Sequence, residues 1–159
     1  MSLDDWIIAL HLVSAFALVG AVTVFSIILV VLRRVDTPGR VLALAPAALI
    51  ANVTVLVGVL GTFGFGVWLA ISLDEYGVWD GWVLAAIVLW AVGSELGRRT
   101  GVIMAGSFER AEQLVGQGHE GPDAALADGL RSRHAHVFHW VSTAAMALII
   151  LDMIWKPGA

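Results

Sequence analysis

VLALAPAALIANVTVLVGVLGTFGFGVWLAISL, residues 41–73, contains no charged side chain over its whole length. A helix needs about 20 apolar residues to cross the hydrocarbon core of a bilayer. This stretch exceeds that length, and Pro46 is expected to kink it near one end. Three further apolar runs flank it. The sequence therefore predicts an all-α integral membrane protein with spans at about 6–32, 42–72, 81–97 and 137–155.

The overall composition agrees with lipid as the solvent. Apolar residues make up 59% of the 159 residues and charged residues 14%, whereas typical soluble domains have about 45–50% and about 25%. The chain contains no cysteine, which excludes disulfides and thiolate chemistry. Its formal net charge is −4 without a basic motif, so no nucleic-acid partner is expected. We expect one transmembrane domain over residues 1–159, with the lipid bilayer as its main partner.

Basic residues are distributed unevenly between the predicted loops. Only Lys156 falls on the side of the termini, and eight arginines fall on the other: Arg33, Arg34, Arg40, Arg98, Arg99, Arg110, Arg131 and Arg133. Because basic residues favour the cytoplasmic side of short loops, we predict a bacterial-type inner-membrane protein with both termini outside. An aromatic belt at the outer surface is expected from Trp6, Tyr76, Trp79, Trp82 and Trp155.

Helical periodicity continues beyond two of the apolar runs. It extends the third run to about Val115 and precedes the fourth from about Asp123, with a turn at residues 116–122. The apolar positions of the two extensions could face each other. The predicted fold is therefore a four-helix antiparallel bundle with a short cytoplasmic helical hairpin that extends helices three and four.

Two of the predicted helices carry ridges of small residues at a spacing of four. Helices in lipid associate by close approach at such residues. We interpret the ridges as packing surfaces within one bundle, with a homodimer or larger membrane complex as the alternative. The ridge in helix two comprises Thr54, Gly58, Thr62, Gly66 and Ala70, and the ridge in helix three comprises Gly93, Gly97, Gly101 and Ala105.

Two ionisable residues are the leading candidates for a functional site. His11 and Asp152 are expected within about 3 Å of the same depth, near the outer ends of helices one and four. The first and last helices of a short-looped bundle are usually neighbours. The pair could hold a proton, or Asp152 could orient His11 as a ligand of a haem or metal. The simpler alternatives are a histidine that donates to a neighbouring helix and a carboxylate that reaches the interface.

Four secondary polar candidates lie elsewhere in the spans. Glu95 precedes two arginines at spacings of three and four, which permits a local ion pair. His136 and His139 share a helix face and could bind a metal with Glu95, but we favour a structural role. Asn52 is expected to form a hydrogen bond across helices. We predict no metal site and no catalytic residue, because no motif of either kind occurs.

Several short motifs resemble the bacterial DUF2269 family of four-span membrane proteins and, more distantly, the membrane domain of CopD copper-resistance proteins. They lie at residues 10–12, 61–64, 68, 79–82, 83–97 and 153–158. This resemblance implies the architecture and brings no established activity. The histidine-bearing first helix is also broadly similar to four-helix membrane haem proteins such as the HemJ class of protoporphyrinogen oxidases. Nothing beyond His11 is carried over from that likeness.

Three classes of function are left open. We favour a non-enzymatic accessory or structural membrane subunit. A haem b-binding redox protein is the first alternative, although His11 and His139 are expected to differ in depth by roughly 16 Å, too far to share one iron. Met146 or Met153 could then supply the second ligand. The second alternative is a small-solute or metal-ion transporter, for which a charged midplane site and a broken-helix pair are lacking.

Overall fold

The computed structural model describes residues 2–73, 77 and 79–157, and every regular element in these ranges is helical. The elements in chain order are α1 (Leu3–Leu32), α2 (Pro38–Ala43), α3 (Ala45–Ser72), α4 (Gly81–Gly116), α5 (Ala124–Leu130) and α6 (Arg133–Trp155). Four stretches are long and apolar enough to cross a membrane: α1, α3, α4 and Ala124–Trp155, which joins α5 to α6. The all-α class and the four apolar helices are therefore as predicted.

Local sequence accounts for the ends of the first three helices. The Ser2 side chain accepts a hydrogen bond from the Asp5 N–H at 3.2 Å, and the Asp5 carboxylate accepts one from the Ser2 N–H at 2.7 Å. This capping box begins α1 ahead of the apolar run. The kink expected at Pro46 is instead a break at Leu44 between α2 and α3. Pro46 lies in the first turn of α3, where its missing N–H leaves no hydrogen bond unmade.

The helical hairpin predicted from periodicity is present in part. α4 extends to Gly116, and α5 begins after Asp123, whose carboxylate accepts a hydrogen bond from the Leu126 N–H at 2.7 Å. Arg110 binds the same carboxylate at 3.0 Å, and this hydrogen-bonded guanidinium lowers the pKa of Asp123. However, α5 ends at Leu130, so the second arm is not continuous with the fourth apolar helix. Gly129 precedes this break, and glycine weakens a helix interior.

The long helices pack mainly as two pairs, α1 with α3 and α4 with α6. In the first pair, a Cβ built on Gly58 would lie 2.8 Å from the Cβ of Leu18. In the second pair, the Ser142 hydroxyl donates to the Gly93 carbonyl at 2.7 Å, and a Cβ on Gly97 would lie 3.3 Å from the same hydroxyl. The small ridges therefore contact neighbouring helices of the same chain.

A buried core joins the two pairs at the end that carries the arginines. Its side chains come from every helix and from the loop after α1, and all are apolar. They are Ile28, Leu29, Leu32, Val35, Val41, Ala48, Met104, Ala111, Leu126, Leu130 and Ala135. The opposite end has a much smaller core, formed by Ala70, Trp82 and Val83. The two helix pairs are thus tightly joined at one end and loosely joined at the other.

We expect Gly58→Leu to destabilise the protein by about 1–3 kcal/mol, the usual range for overpacking a tight contact. The new side chain would have to displace the Leu18 backbone, whose Cα and N lie 3.0 Å from the point where the Cβ would stand. Gly64→Leu is the matched control in the same helix, because a Cβ there meets nothing within 4 Å. The measurement is the thermal unfolding midpoint in detergent. Equal midpoints for the two variants would contradict the packing of α1 on α3.

Candidate functional site

A cavity of about 300 Å³ lies between the two helix pairs at their loosely joined end. All four long helices contribute to its wall, and most of the side chains are apolar. The lining residues include His11 from α1, Thr62, Phe63 and Gly66 from α3, Trp82 and Trp90 from α4, and Met153 from α6. A concave, mainly apolar site with a few polar groups is typical of small-molecule binding.

Aromatic side chains form the α4 wall of the cavity. The indole of Trp90 stacks on Phe63 with ring centroids 4.1 Å apart, and its Nε1 donates to the Val59 carbonyl at 3.3 Å. These contacts join α3 to α4. Trp82 is buried at 6% exposure, and the ammonium group of Lys156 lies 5.6 Å from its ring centroid. The wall is therefore held by contacts between helices and does not depend on a ligand.

The burial of Trp82 corrects part of the predicted aromatic belt. Trp6, Trp79 and Trp155 are exposed, as a belt requires, whereas Trp82 points inward. The reason is helical phase, since Trp82 lies beside Val83 and near Ala86 on the buried side of α4. Tyr76, the fifth predicted member, lies outside the described residues.

His11 enters the cavity from α1 and lies close to α3. A Cβ on Gly66 would be 3.1 Å from the Cε1 atom of His11 and 3.4 Å from its Nδ1, so a glycine at this position allows the imidazole to approach the helix. The imidazole of His11 interacts with the Thr62 backbone, while Nδ1 of His11 and Oγ1 of Thr62 are enclosed and meet no partner with full hydrogen-bond geometry among the described residues. Buried polar atoms nearly always have partners, which makes this position the leading candidate site.

Asp152 does not form the direct contact that its depth suggested. Its Oδ2 is also enclosed without a hydrogen-bond partner in the described ranges, and the residue is not part of the cavity wall. No hydrogen bond therefore joins Asp152 to His11 in this structure. The prediction assumed that the first and last helices are neighbours, but α1 packs mainly on α3 and α6 mainly on α4. A functional coupling of the two residues stays a prediction.

The inner histidines each have a protein partner. His139 is buried, its Nε2 lies 2.7 Å from the Ser26 hydroxyl oxygen, and its ring packs against Phe25. The Nε2 atom of His136 lies 3.2 Å from the Leu130 carbonyl oxygen. Within the described part of the chain, no group of three or more metal-binding side chains comes together. These contacts agree with the structural role that we favoured for both residues.

The structure contains the ion pair predicted for Glu95 but not the hydrogen bond predicted for Asn52. Glu95 binds Arg98 at 2.8 Å and Arg99 at 2.7 Å, so the predicted local ion pair is confirmed.

Asn52 is exposed, and its side chain forms no hydrogen bond to another described residue. Its Oδ1 faces α4 at Gly101, 4.0 Å from the point that a Cβ would occupy there. Glycine offers no side-chain donor, which explains why the expected bond is missing.

Sequence reasoning missed two residues that shape these sites. Thr62 was identified only as a member of the small ridge, although its hydroxyl distinguishes it from the glycines. Ser26 had no visible signal, because an isolated hydroxyl in an apolar run usually bonds to its own helix. Ser26 does bond to the Val22 carbonyl at 2.7 Å, and it also reaches His139. Only the pairing of helices brings that second partner within range.

No family model, curated protein or solved structure matches the chain. The resemblance to the DUF2269 family therefore stays a prediction.

We expect Ser26→Ala to destabilise the protein by roughly 0.6–1.7 kcal/mol, which spans the average and the maximum measured for hydrogen bonds between membrane helices. The change would leave a ring nitrogen of His139 enclosed without its partner. Thr23→Ala is the control, because Thr23 is exposed and its hydroxyl donates only to the Val19 carbonyl of its own helix. Thermal unfolding in detergent compares the two. A loss in Thr23→Ala as large as that in Ser26→Ala would argue against the Ser26–His139 bond.

Proposed function

We propose that this chain is a four-span antiparallel membrane protein that binds a lipid-soluble small molecule in the cavity between its helix pairs. It would serve as a non-enzymatic accessory subunit of a bacterial-type inner membrane. The observation that carries this proposal is the cavity itself, whose apolar and aromatic walls include the polar side chains of His11 and Thr62.

The membrane part of the proposal is supported by surface and charge. Large apolar side chains are exposed along the long helices, for example Phe16 at 75%, Ile71 at 69% and Ile50 at 67%. Exposed apolar surface on this scale is unfavourable in water and suits lipid. The eight arginines toward one side and the single Lys156 toward the other favour termini outside the cell.

The antiparallel arrangement is supported by the order of contacts between α1 and α3. Leu18 lies against Gly58, and His11 lies against Gly66. Residue numbers therefore fall along α1 as they rise along α3. In the same way, Gly93 of α4 lies against Ala145 of α6, whereas Thr100 donates to the Ala135 carbonyl at 3.3 Å.

The polar groups of the cavity indicate the chemical class of the ligand. Because Nδ1 of His11 is turned toward α3, Nε2 is the ring nitrogen left for a ligand, and a neutral imidazole can carry its proton there. Rotation of the Thr62 side chain would turn its enclosed hydroxyl toward the ligand as a second donor. The indoles of Trp82 and Trp90 favour a flat ring. A quinone, or a similar carbonyl-bearing ring with an apolar tail, matches two donors and aromatic walls.

Haem b is the second candidate, on the basis of one observation. Met153 lines the same cavity as His11, and a histidine with a methionine is a known axial pair. His139 does not serve this purpose, because its partner Ser26 lies about 22 Å along α1 from His11 at the helical rise per residue. An absorption spectrum of the purified protein separates the two candidates, since only haem produces a Soret band.

The proposed topology predicts the labelling of two single cysteines placed at opposite ends. A cysteine introduced at Ser2 should react with an impermeant maleimide in intact cells, whereas one at Gln117 should react only after the membrane is permeabilised. Ser2 caps α1, and Gln117 ends α4 in the hairpin. The chain has no native cysteine to interfere. Labelling of both positions from the same face would contradict the four-span arrangement.

The proposed site predicts which substitutions weaken binding of a short-tailed benzoquinone. The probe is titrated into purified protein in detergent, and quenching of indole fluorescence reports its approach to Trp82 and Trp90. We expect His11→Ala and Thr62→Val each to raise Kd about five- to tenfold, the equivalent of one lost hydrogen bond.

Matched controls for this titration are His134→Ala and Thr54→Val. Neither residue lines the cavity, and the Thr54 hydroxyl donates only to Ile50 of its own helix. Both controls should bind the probe as the parent does. Unchanged affinity in both cavity variants would overturn the quinone class, and a Soret band in the parent would favour haem.

A further inference from the structure

A second concave surface, of about 460 Å³, lies at the arginine-rich end of the molecule. Three arginines from two parts of the chain meet there: Arg33 directly after α1, Arg131 between α5 and α6, and Arg133 at the start of α6. The Nε of Arg131 donates to the Arg33 carbonyl at 3.2 Å, which holds the two segments together. This surface is therefore assembled by the fold and is not a run of basic residues in one loop.

The three guanidinium groups have no carboxylate partner within the described residues. The ion pairs found there involve Arg98 and Arg99 with Glu95, and Arg110 with Asp123. Arg33, Arg131 and Arg133 are all exposed. Like charges held close together without a counter-ion repel one another, so an anion bound between them would be stabilised. The first turn of α6 adds the partial positive charge of a helix N-terminus.

The lower half of the same surface is apolar. Val137, Trp140 and Val141 follow Arg133 at spacings of four, seven and eight, which places them on one face of α6. They are about half exposed, at 47%, 51% and 46%. This apolar strip extends about 12 Å from Arg133 along the helix at 1.5 Å per residue. A soluble anion bound at the arginines would not cover this apolar strip.

We propose that this surface binds one anionic phospholipid of the cytoplasmic leaflet, with its phosphate among Arg33, Arg131 and Arg133. The indole of Trp140 lies at the depth of the glycerol backbone, where amphipathic rings prefer to sit. One acyl chain packs along Val137 and Val141. Basic pockets beside membrane helices on the cytoplasmic side suit anionic headgroups. The inference depends on the membrane placement proposed above and not on the outer cavity or its ligand.

The test is native mass spectrometry of the full chain released from a mild detergent, with added phosphatidylglycerol or phosphatidylcholine. We expect the parent to retain phosphatidylglycerol in preference to phosphatidylcholine. Arg33→Gln with Arg133→Gln should weaken retention of phosphatidylglycerol by roughly tenfold, since each arginine near a membrane surface adds to the attraction. Circular dichroism and the unfolding midpoint confirm that the variant is folded.

The matched control is Arg34→Gln with Arg40→Gln. It removes the same formal charge from the same end of the molecule, and neither residue lines the surface. We expect it to retain phosphatidylglycerol nearly as the parent does. If the Arg33 and Arg133 double variant does not fold, Arg133→Gln alone replaces it, because this side chain is exposed and forms no hydrogen bond to a described residue.

Three results would overturn the proposal. Equal losses in the two double variants would show diffuse attraction instead of a defined site. Equal retention of both lipids by the parent would remove the preference for an anionic headgroup. Displacement of phosphatidylglycerol by millimolar inorganic phosphate would identify a soluble anion as the ligand. None of these outcomes depends on quinone binding, whereas failure of the cysteine labelling would remove the membrane placement on which both proposals depend.

Discussion

The close approach of α1 to α3 is the contact on which the rest of the structure depends. Helices as apolar as these gain little from hydrophobic burial against each other when lipid surrounds them, so their association depends on how closely their surfaces fit. Gly58 and Gly66 allow this close approach because they lack a Cβ. A side chain of α1 lies close to the position that a Cβ would occupy at each of them. A glycine also allows close packing between α4 and α6, where Gly93 lies against Ala145. Two firmly packed pairs result, and the space between the pairs is less completely filled.

The unequal filling of that space explains where the two candidate sites lie. At the arginine-rich end, short helices α2 and α5 add apolar side chains that close the gap between the pairs. At the other end no short helix is present among the described residues, and the cavity lies there. The closed end holds the Ser26–His139 contact between side chains inside it, whereas at the open end the side chains of His11 and Thr62 form no hydrogen bond with another described side chain.

The sequence predicted correctly those features that depend on residues within a single helix. The four apolar runs, the Ser2–Asp5 capping box and the ion pair of Glu95 each follow from spacing along a single segment. It failed where the result depends on which helices touch. The expected contact of His11 with Asp152 assumed that α1 packs on α6, whereas each of them packs mainly on another helix, and the expected exposure of Trp82 assumed the wrong helical phase. Which helices pack together depends on contacts between segments far apart in the chain, and a hydropathy pattern contains no information about those contacts.

The separation into two pairs also sets an order of events during synthesis. The partners α1 and α3 are both complete by Ser72, so the first pair can form before α4 is made. The partners α4 and α6 come last, and the arginine-end core cannot close until α5 and the start of α6 have left the ribosome. The first helical pair can therefore form before the second has been made. The core at this end joins Leu126 and Leu130 to residues about 90 positions earlier in the chain, such as Leu32 and Val41.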